Sequence, residues 1–202
     1  MTMKERYEAL KRKVVKRKKE FDAFINMLET ESSWLTSPAS TKYHLNKEGG
    51  LLEHSVGVTE TFLKLRETLA PQISEESCVI VGLLHDAGKI GMPGKPRYQK
   101  NDNKWEIEKR NMTYKINPDE VYMGLAARSI YLITKYIPLS DSEAQAILYH
   151  DGQYVEGNRE VAHHETPLTL LAHFADLWTA TVYEEGREIK EDTSYYDRKT
   201  EG

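Results

Sequence analysis

The pair His85-Asp86 closes the apolar run Val79-Ile80-Val81-Gly82-Leu83-Leu84 and is followed by Ala87-Gly88-Lys89-Ile90. An imidazole and a carboxylate set into buried helix need compensation, and a bound metal ion would supply it. His54, in Gly49-Gly50-Leu51-Leu52-Glu53-His54-Ser55-Val56, lies 31 residues before His85. Asp176, in Leu170-Leu171-Ala172-His173-Phe174-Ala175-Asp176-Leu177, lies 90 residues after Asp86. Each interrupts an apolar stretch. Two imidazoles and two carboxylates form a mixed nitrogen and oxygen ligand set that suits Mn, Fe, Co, Ni or Zn, and Mg when fewer nitrogens bind. Four ligands leave open positions, where a bound water has its pKa lowered toward neutral.

Such a site must be assembled from several elements. Apolar residues recur at three- and four-residue steps over 7–28, 51–69, 77–85, 121–136, 141–149 and 167–183, which predicts six helices. Ser140-Asp141-Ser142-Glu143 offers a capping pattern for the fifth, and Glu165-Thr166-Pro167 opens the sixth with proline in its first turn. In residues 97–108 an Asn/Asp-rich turn separates two short β-prone runs. The expected fold class is therefore all-α, a bundle of about six or more helices with a small β-hairpin near 97–108. Helix neighbours point about 100° apart, so His85 and Asp86 reach one ion only near a helix end, which Gly88 would provide. His54 and Asp176 would project from facing helices, a known way of building a metal site in a bundle.

The 202 residues, 39% hydrophobic and 30% charged, are enough for one core with appended ends. The reading is a basic N-terminal helix over 1–30 packed on the domain, a main domain over 31–186, and a polar tail over 187–202. The single cysteine, Cys78, excludes an internal disulfide framework and fits a reducing compartment. No apolar run approaches the roughly 20 residues needed to span a bilayer, and no signal-peptide core opens the chain. A cytoplasmic location without membrane association is expected. The net charge of −4 is uneven, with nine Lys or Arg against two Glu between Lys4 and Lys19. That stretch would track nucleic-acid phosphates. The plainer and favoured reading is the exposed face of a helix whose apolar stripe is Tyr7, Leu10, Val14 and Phe21, because no aromatic residues are interleaved for base stacking.

The order His, His-Asp, distant Asp resembles the HD-domain metal-dependent phosphohydrolases. The likeness extends through 37–44, through Gly49-Gly50 to His54, and through Ile137 to His150, and is similar to small single-domain HD hydrolases of bacteria and their phages. It covers roughly residues 35–185. The resemblance implies one divalent ion (Mn, Co, Ni, Fe, Zn or Mg) held by His54, His85, Asp86 and Asp176, with Asp86 orienting or deprotonating the attacking water. It places Lys89 beside substrate phosphate, the alternative being a solvated lysine at a helix end. His150 matches a histidine used for phosphate contact, proton donation or a second metal, the alternative being a helix C-cap. His44 is read either as a substrate contact or as loop packing. His173 is read as an orienting or packing neighbour of Asp176, and His163-His164, in a polar loop, is left out of the site.

One departure stands out. Two-metal HD enzymes carry histidines between the His-Asp pair and the final Asp, and here none occurs between His85 and His150, where Asp119-Glu120-Val121-Tyr122 stands instead. Glu120 or Tyr122 would have to substitute, so one metal is the more economical reading. The implied substrate is a small phosphorylated molecule, a nucleotide as mono- or triphosphate. Two alternatives remain. One is a 3′-5′ exoribonuclease-like nuclease guided by the basic N-terminal helix, and the other is a non-enzymatic metal-containing binding module.

Overall fold

The computed structural model describes residues 1–187 and 189; all but those two positions of the expected tail over 187–202 lie outside the described residues. The chain begins with α1 (Met3–Lys11), opened by a capping box in which the Thr2 hydroxyl and the Glu5 carboxylate each accept the other's backbone N–H. The helix expected over 7–28 is in fact two, since α2 (Lys18–Glu31) starts only after an unwound turn. Side chains replace the helix hydrogen bonds lost there. Glu76 accepts the amides of Val15 and Lys16 at 2.8 and 2.6 Å, and Arg17 bridges Glu76 and Glu143 at 2.9 and 2.6 Å. Tyr7, Leu10, Val14 and Phe21, the expected stripe, all enter the common core. Lys11 and Lys13 pair with Glu29 and Glu75.

The centre of the molecule is α3 (Gly50–Leu69), which packs on α4 (Glu75–Leu84) and α8 (Pro167–Trp178). Seven of the ten α4 positions are apolar or small residues buried from Cys78 to Leu84, which explains why its sequence carries no polar face there. A 3₁₀ turn, Ala87–Ile90, follows it. Against that turn packs α6 (Leu125–Ile133), so closely that a Cβ on Gly88 would stand 2.3 Å from the Leu125 carbonyl oxygen. The Gly88 amide donates to Ser129 Oγ across the same contact. Next comes α7 (Asp141–Tyr149), with the capping box expected at Ser140 and Glu143, and α8 has Thr166 as N-cap and proline in its first turn. Beyond α8 the backbone widens into a π-helical segment, Thr179–Glu184.

Strands are few. β1 (Gly91–Met92) and β2 (Lys95–Pro96) pair antiparallel, as do β3 (Tyr98–Lys100) and β4 (Tyr114–Ile116), with Gln99 opposite Lys115. The small hairpin is present, but its second strand lies further along the chain than the sequence suggested. Residues Lys104–Arg110 form α5 instead, because the Asn103 side chain caps the amides of Trp105 and Glu106 and the residues that follow are helix formers. Among the described residues the protein is thus mainly helical, with two small antiparallel sheets. No helix among the described residues is long and apolar enough to cross a membrane.

Candidate metal centre

Four helix ends meet at one place. His54 stands early in α3, His85 is the residue on which α4 stops, His150 is the residue on which α7 stops, and Asp176 lies in the last turn of α8. Asp86 has left helical geometry, at φ −100° and ψ 12°. That exit lets two consecutive side chains address a single point. His54, His85, Asp86 and His150 are all buried.

The imidazole orientations are set from behind. His85 Nδ1 donates to the Gly82 carbonyl and His150 Nδ1 to the Ile147 carbonyl, each at 2.8 Å. His54 Nδ1 donates to the Glu184 carboxylate at 2.9 and 3.2 Å. Every ring therefore presents Nε2 inward. His54 Nε2 lies 3.1 Å from Asp176 Oδ1, 3.5 Å from Asp86 Oδ2 and 3.4 Å from His85 Nε2. His85 Nε2 is 3.5 Å from Asp86 Oδ2 and 3.9 Å from Asp176 Oδ1. Two inward nitrogens this close, flanked by two carboxylates, require a positive charge between them, either a proton or a metal ion. The donor set fits a divalent ion. Within each of two separate triads, His54 with His85 and Asp176, and His85 with Asp86 and His150, one atom per residue lies within 4.8 Å of the others. A third group, His150, Asp151 and Asp176, is equally compact.

The charges respond to this crowding. Burial alone would depress the His54 imidazolium, but the Asp176 and Glu184 carboxylates outweigh it and raise its pKa to about 10. Burial would raise both aspartates, yet the positive charge of Lys89 and the neighbouring imidazoles hold Asp86 well below the usual range, and His54 does the same for Asp176. Lys89 is not a solvated helix-end lysine. Its side chain is 14% exposed, and Nζ sits 2.6 Å from Asp86 Oδ2. Burial works against its charge and Asp86 more than restores it. His150 Nε2 is 3.7 Å from Asp86 Oδ1, so this histidine both ends its helix and faces the centre.

A cavity of about 210 Å³ opens onto the cluster, lined by His44, Lys89, Asp151, His173 and Asp176 among others. His44 Nε2 is buried there without a hydrogen-bond partner among the described residues, and burial together with the neighbouring His54 lowers its pKa. His173 serves the backbone, donating from Nδ1 to the His150 carbonyl at 2.8 Å. Gly152, at φ +65°, leaves room for that ring, since a Cβ would stand 2.3 Å from it. Neither substitute for the missing histidines reaches the centre. Glu120 is clamped between Arg97 and the fully buried Arg128, and Tyr122 is 93% exposed. His163 and His164 are exposed and belong to none of these clusters.

Glu184 is the residue that sequence reasoning missed. In a continuous α-helix it would lie about 80° around the axis from Asp176. The π segment, wider by a residue per turn, brings it back over the site, where its side chain is only 8% exposed. A π distortion has no clear signature in a single sequence.

Against known proteins, a family model described as the HD domain matches residues 51–181, a span that holds His54, His85, Asp86, Lys89, His150 and Asp176 and leaves His44 and Glu184 outside. No curated protein and no solved structure matches.

Proposed function

This chain belongs to the HD-domain family, one of metal-dependent hydrolases, and we propose that it cleaves a phosphoester or phosphoanhydride of a nucleotide. The observation that carries the reading is the convergence of His54 Nε2, His85 Nε2, Asp86 and Asp176 beside a buried lysine at the foot of an open cavity. His54, His85, Asp86 and Asp176 would hold one divalent ion, which supplies an activated water and polarises a phosphoryl oxygen.

The remaining chemistry belongs to the protein. Asp86, with Oδ2 toward the two imidazoles and Oδ1 toward His150, orients the attacking water and accepts its proton. Lys89 places a fixed positive charge where the phosphoryl oxygens gain negative charge. His150 carries its proton more readily than an ordinary histidine, because the Asp151 and Asp86 charges overcome the effect of burial, and it donates to the departing oxygen. His44 lines the same cavity and would contact the substrate from there. A nucleotide is supported by the family resemblance and by the Lys89 cation on the wall of the cavity.

The test begins with metal analysis of the purified protein, where about one equivalent is expected; two would bring in His150 and Asp151. Phosphate release from a nucleotide panel with Mn²⁺ or Co²⁺ follows, and Asp86→Ala should abolish it. Retained metal with no hydrolysis of any phosphoester would leave a binding module and overturn the proposal.

A further inference from the structure

Arg128 is fully buried, on the helix α6 that packs against the 3₁₀ turn carrying Lys89. Burying a guanidinium is costly, and an apolar side chain of similar volume in such a place is often neutral or stabilising. Volume alone therefore gives no reason for an arginine here. Its hydrogen bonds do. Nη1 donates to the Gly88 carbonyl at 3.2 Å, Nη2 donates to the Val121 carbonyl at 2.9 Å and to the Met123 carbonyl at 3.4 Å, and Glu120 meets the charge. Nε has no partner among the described residues.

The Gly88 carbonyl belongs to the peptide whose nitrogen is that of Lys89. The Lys89 N–H donates to the Asp86 carbonyl at 2.9 Å, and the Gly88 N–H, in the peptide before, donates to Ser129 Oγ at 2.8 Å. Two successive residues of α6 thus grip both peptides of Gly88. The close approach of Leu125 demands glycine there, and glycine has the freest backbone of any residue. Restraint on the turn has to come from outside it, and α6 supplies it. Lys89 Nζ ends 2.6 Å from Asp86 Oδ2, on the wall of the site cavity. Glu120 extends the grip to the far end of the turn. Arg97, between β2 and β3, donates from Nη1 to both Glu120 oxygens at 2.7 Å, and its backbone N–H donates to the Ile90 carbonyl at 3.2 Å.

We propose that Arg128, seconded by Ser129, is the positioning residue for Lys89, holding the turn so that the ammonium stands where the phosphoryl oxygens of the substrate bind. The inference rests on the hydrolase reading for what Lys89 contacts, and it adds two residues of α6 that line no part of the site cavity. A displacement of about 1 Å caused by a change remote from the chemistry is enough to cost about a hundredfold in rate.

Arg128→Met removes the grip on the Gly88 carbonyl and leaves Glu120 paired with Arg97, so no buried carboxylate is stranded. Ser129→Ala is the milder variant, and it decides the matter if the first does not fold. Both are measured in the full chain loaded with Mn²⁺, by calorimetric titration with inorganic phosphate and by kcat/KM on the nucleotide panel. Lys89→Ala should weaken phosphate by about 10- to 100-fold, as loss of a charged hydrogen bond does. Arg128→Met should weaken it by about tenfold and Ser129→Ala by about three- to tenfold, with Mn²⁺ affinity not reduced. Combined with Lys89→Ala, neither should have a further effect, because the group they position is gone. An arginine that only supports the fold would weaken metal and phosphate together, with or without Lys89, and that result would overturn the assignment. So would phosphate binding at parent strength in the variants, or a parent that binds no phosphate. Hydrolysis accompanied by any of these results removes this inference and leaves the hydrolase standing; the expected phosphate pattern without hydrolysis of any phosphoester removes the hydrolase and leaves the positioning role.

Discussion

An imidazole whose Nδ1 is committed to a carboxylate has only Nε2 to offer, and in His54 that nitrogen is contested. Asp176 and Glu184 raise the His54 pKa to about 10, so without metal the ring carries its proton at neutral pH. A divalent ion must displace that proton. Metal binding at pH 7 is therefore expected to release close to one proton, measured by calorimetry in buffers of different ionisation enthalpy, and affinity should rise with pH until about 10. The linkage sign follows. Because the folded value is raised, this contribution to metal-free stability is complete below the ordinary histidine value near 6.5 and is lost as pH rises through about 10. Glu184→Ala should cost about 10- to 100-fold in metal affinity, the usual effect of losing a group that orients a ligand. Glu184→Gln keeps an oxygen that can accept from Nδ1, so it should recover most of the affinity while releasing fewer protons. At this scale the sequence was most legible. Polar groups that break apolar runs are conspicuous, and His54 and His85 do lie beside both Asp86 and Asp176. Glu184 was not legible, because an acid among Tyr183, Glu184 and Glu185 reads as solvated surface until the backbone places it.

Elements were legible where the cause is local and obscure where a distant side chain decides. Ser140 with Glu143 and Thr166 with Pro167 start α7 and α8 as their sequences indicate. The break between α1 and α2 depends on Glu76 and Glu143, about 60 and 126 residues away, which no helical period can announce. The hairpin's partner strand was misplaced because Asn103 caps a helix where an Asn/Asp cluster suggested only a turn. Arg17 is the hinge of the N-terminal assembly. Arg17→Ala leaves the Glu143 side chain, 2% exposed, without its cation, and should cost about 3 kcal/mol in urea unfolding. Burial pushes Glu76 and Glu143 up, but Arg17 and the backbone amides hold both below the ordinary value near 4.5. A lowered folded value means stability that is present above about 4.5 and lost as pH falls below it. Unfolding midpoints at pH 7 and pH 4 should therefore differ more for the parent than for Arg17→Ala. Equal pH dependence in the two proteins would place the linkage elsewhere.

For the molecule as a whole, the site is a junction that draws on α3, α4, α7 and α8 together. Without metal the centre still holds cations of its own, Lys89 and protonated His54, against the carboxylates of Asp86, Asp176 and Glu184. The fold also has a buried apolar core running from Tyr7 to Ala175. Chelation should therefore soften the protein without unfolding it. An ion that binds only the folded state adds stability as RT ln(1 + [L]/Kd), about 2.7 kcal/mol at a hundredfold excess over Kd. In a chain of this length about 1 kcal/mol moves Tm by roughly 2 to 4 °C, so saturating Mn²⁺ or Co²⁺ should raise Tm by about 5 to 10 °C over the chelated protein. Asp176→Asn removes one ligand charge and keeps the side-chain volume, and it should abolish most of that increment while the chelated variant still melts cooperatively. A chelated parent with no cooperative transition would instead make the ion part of the core.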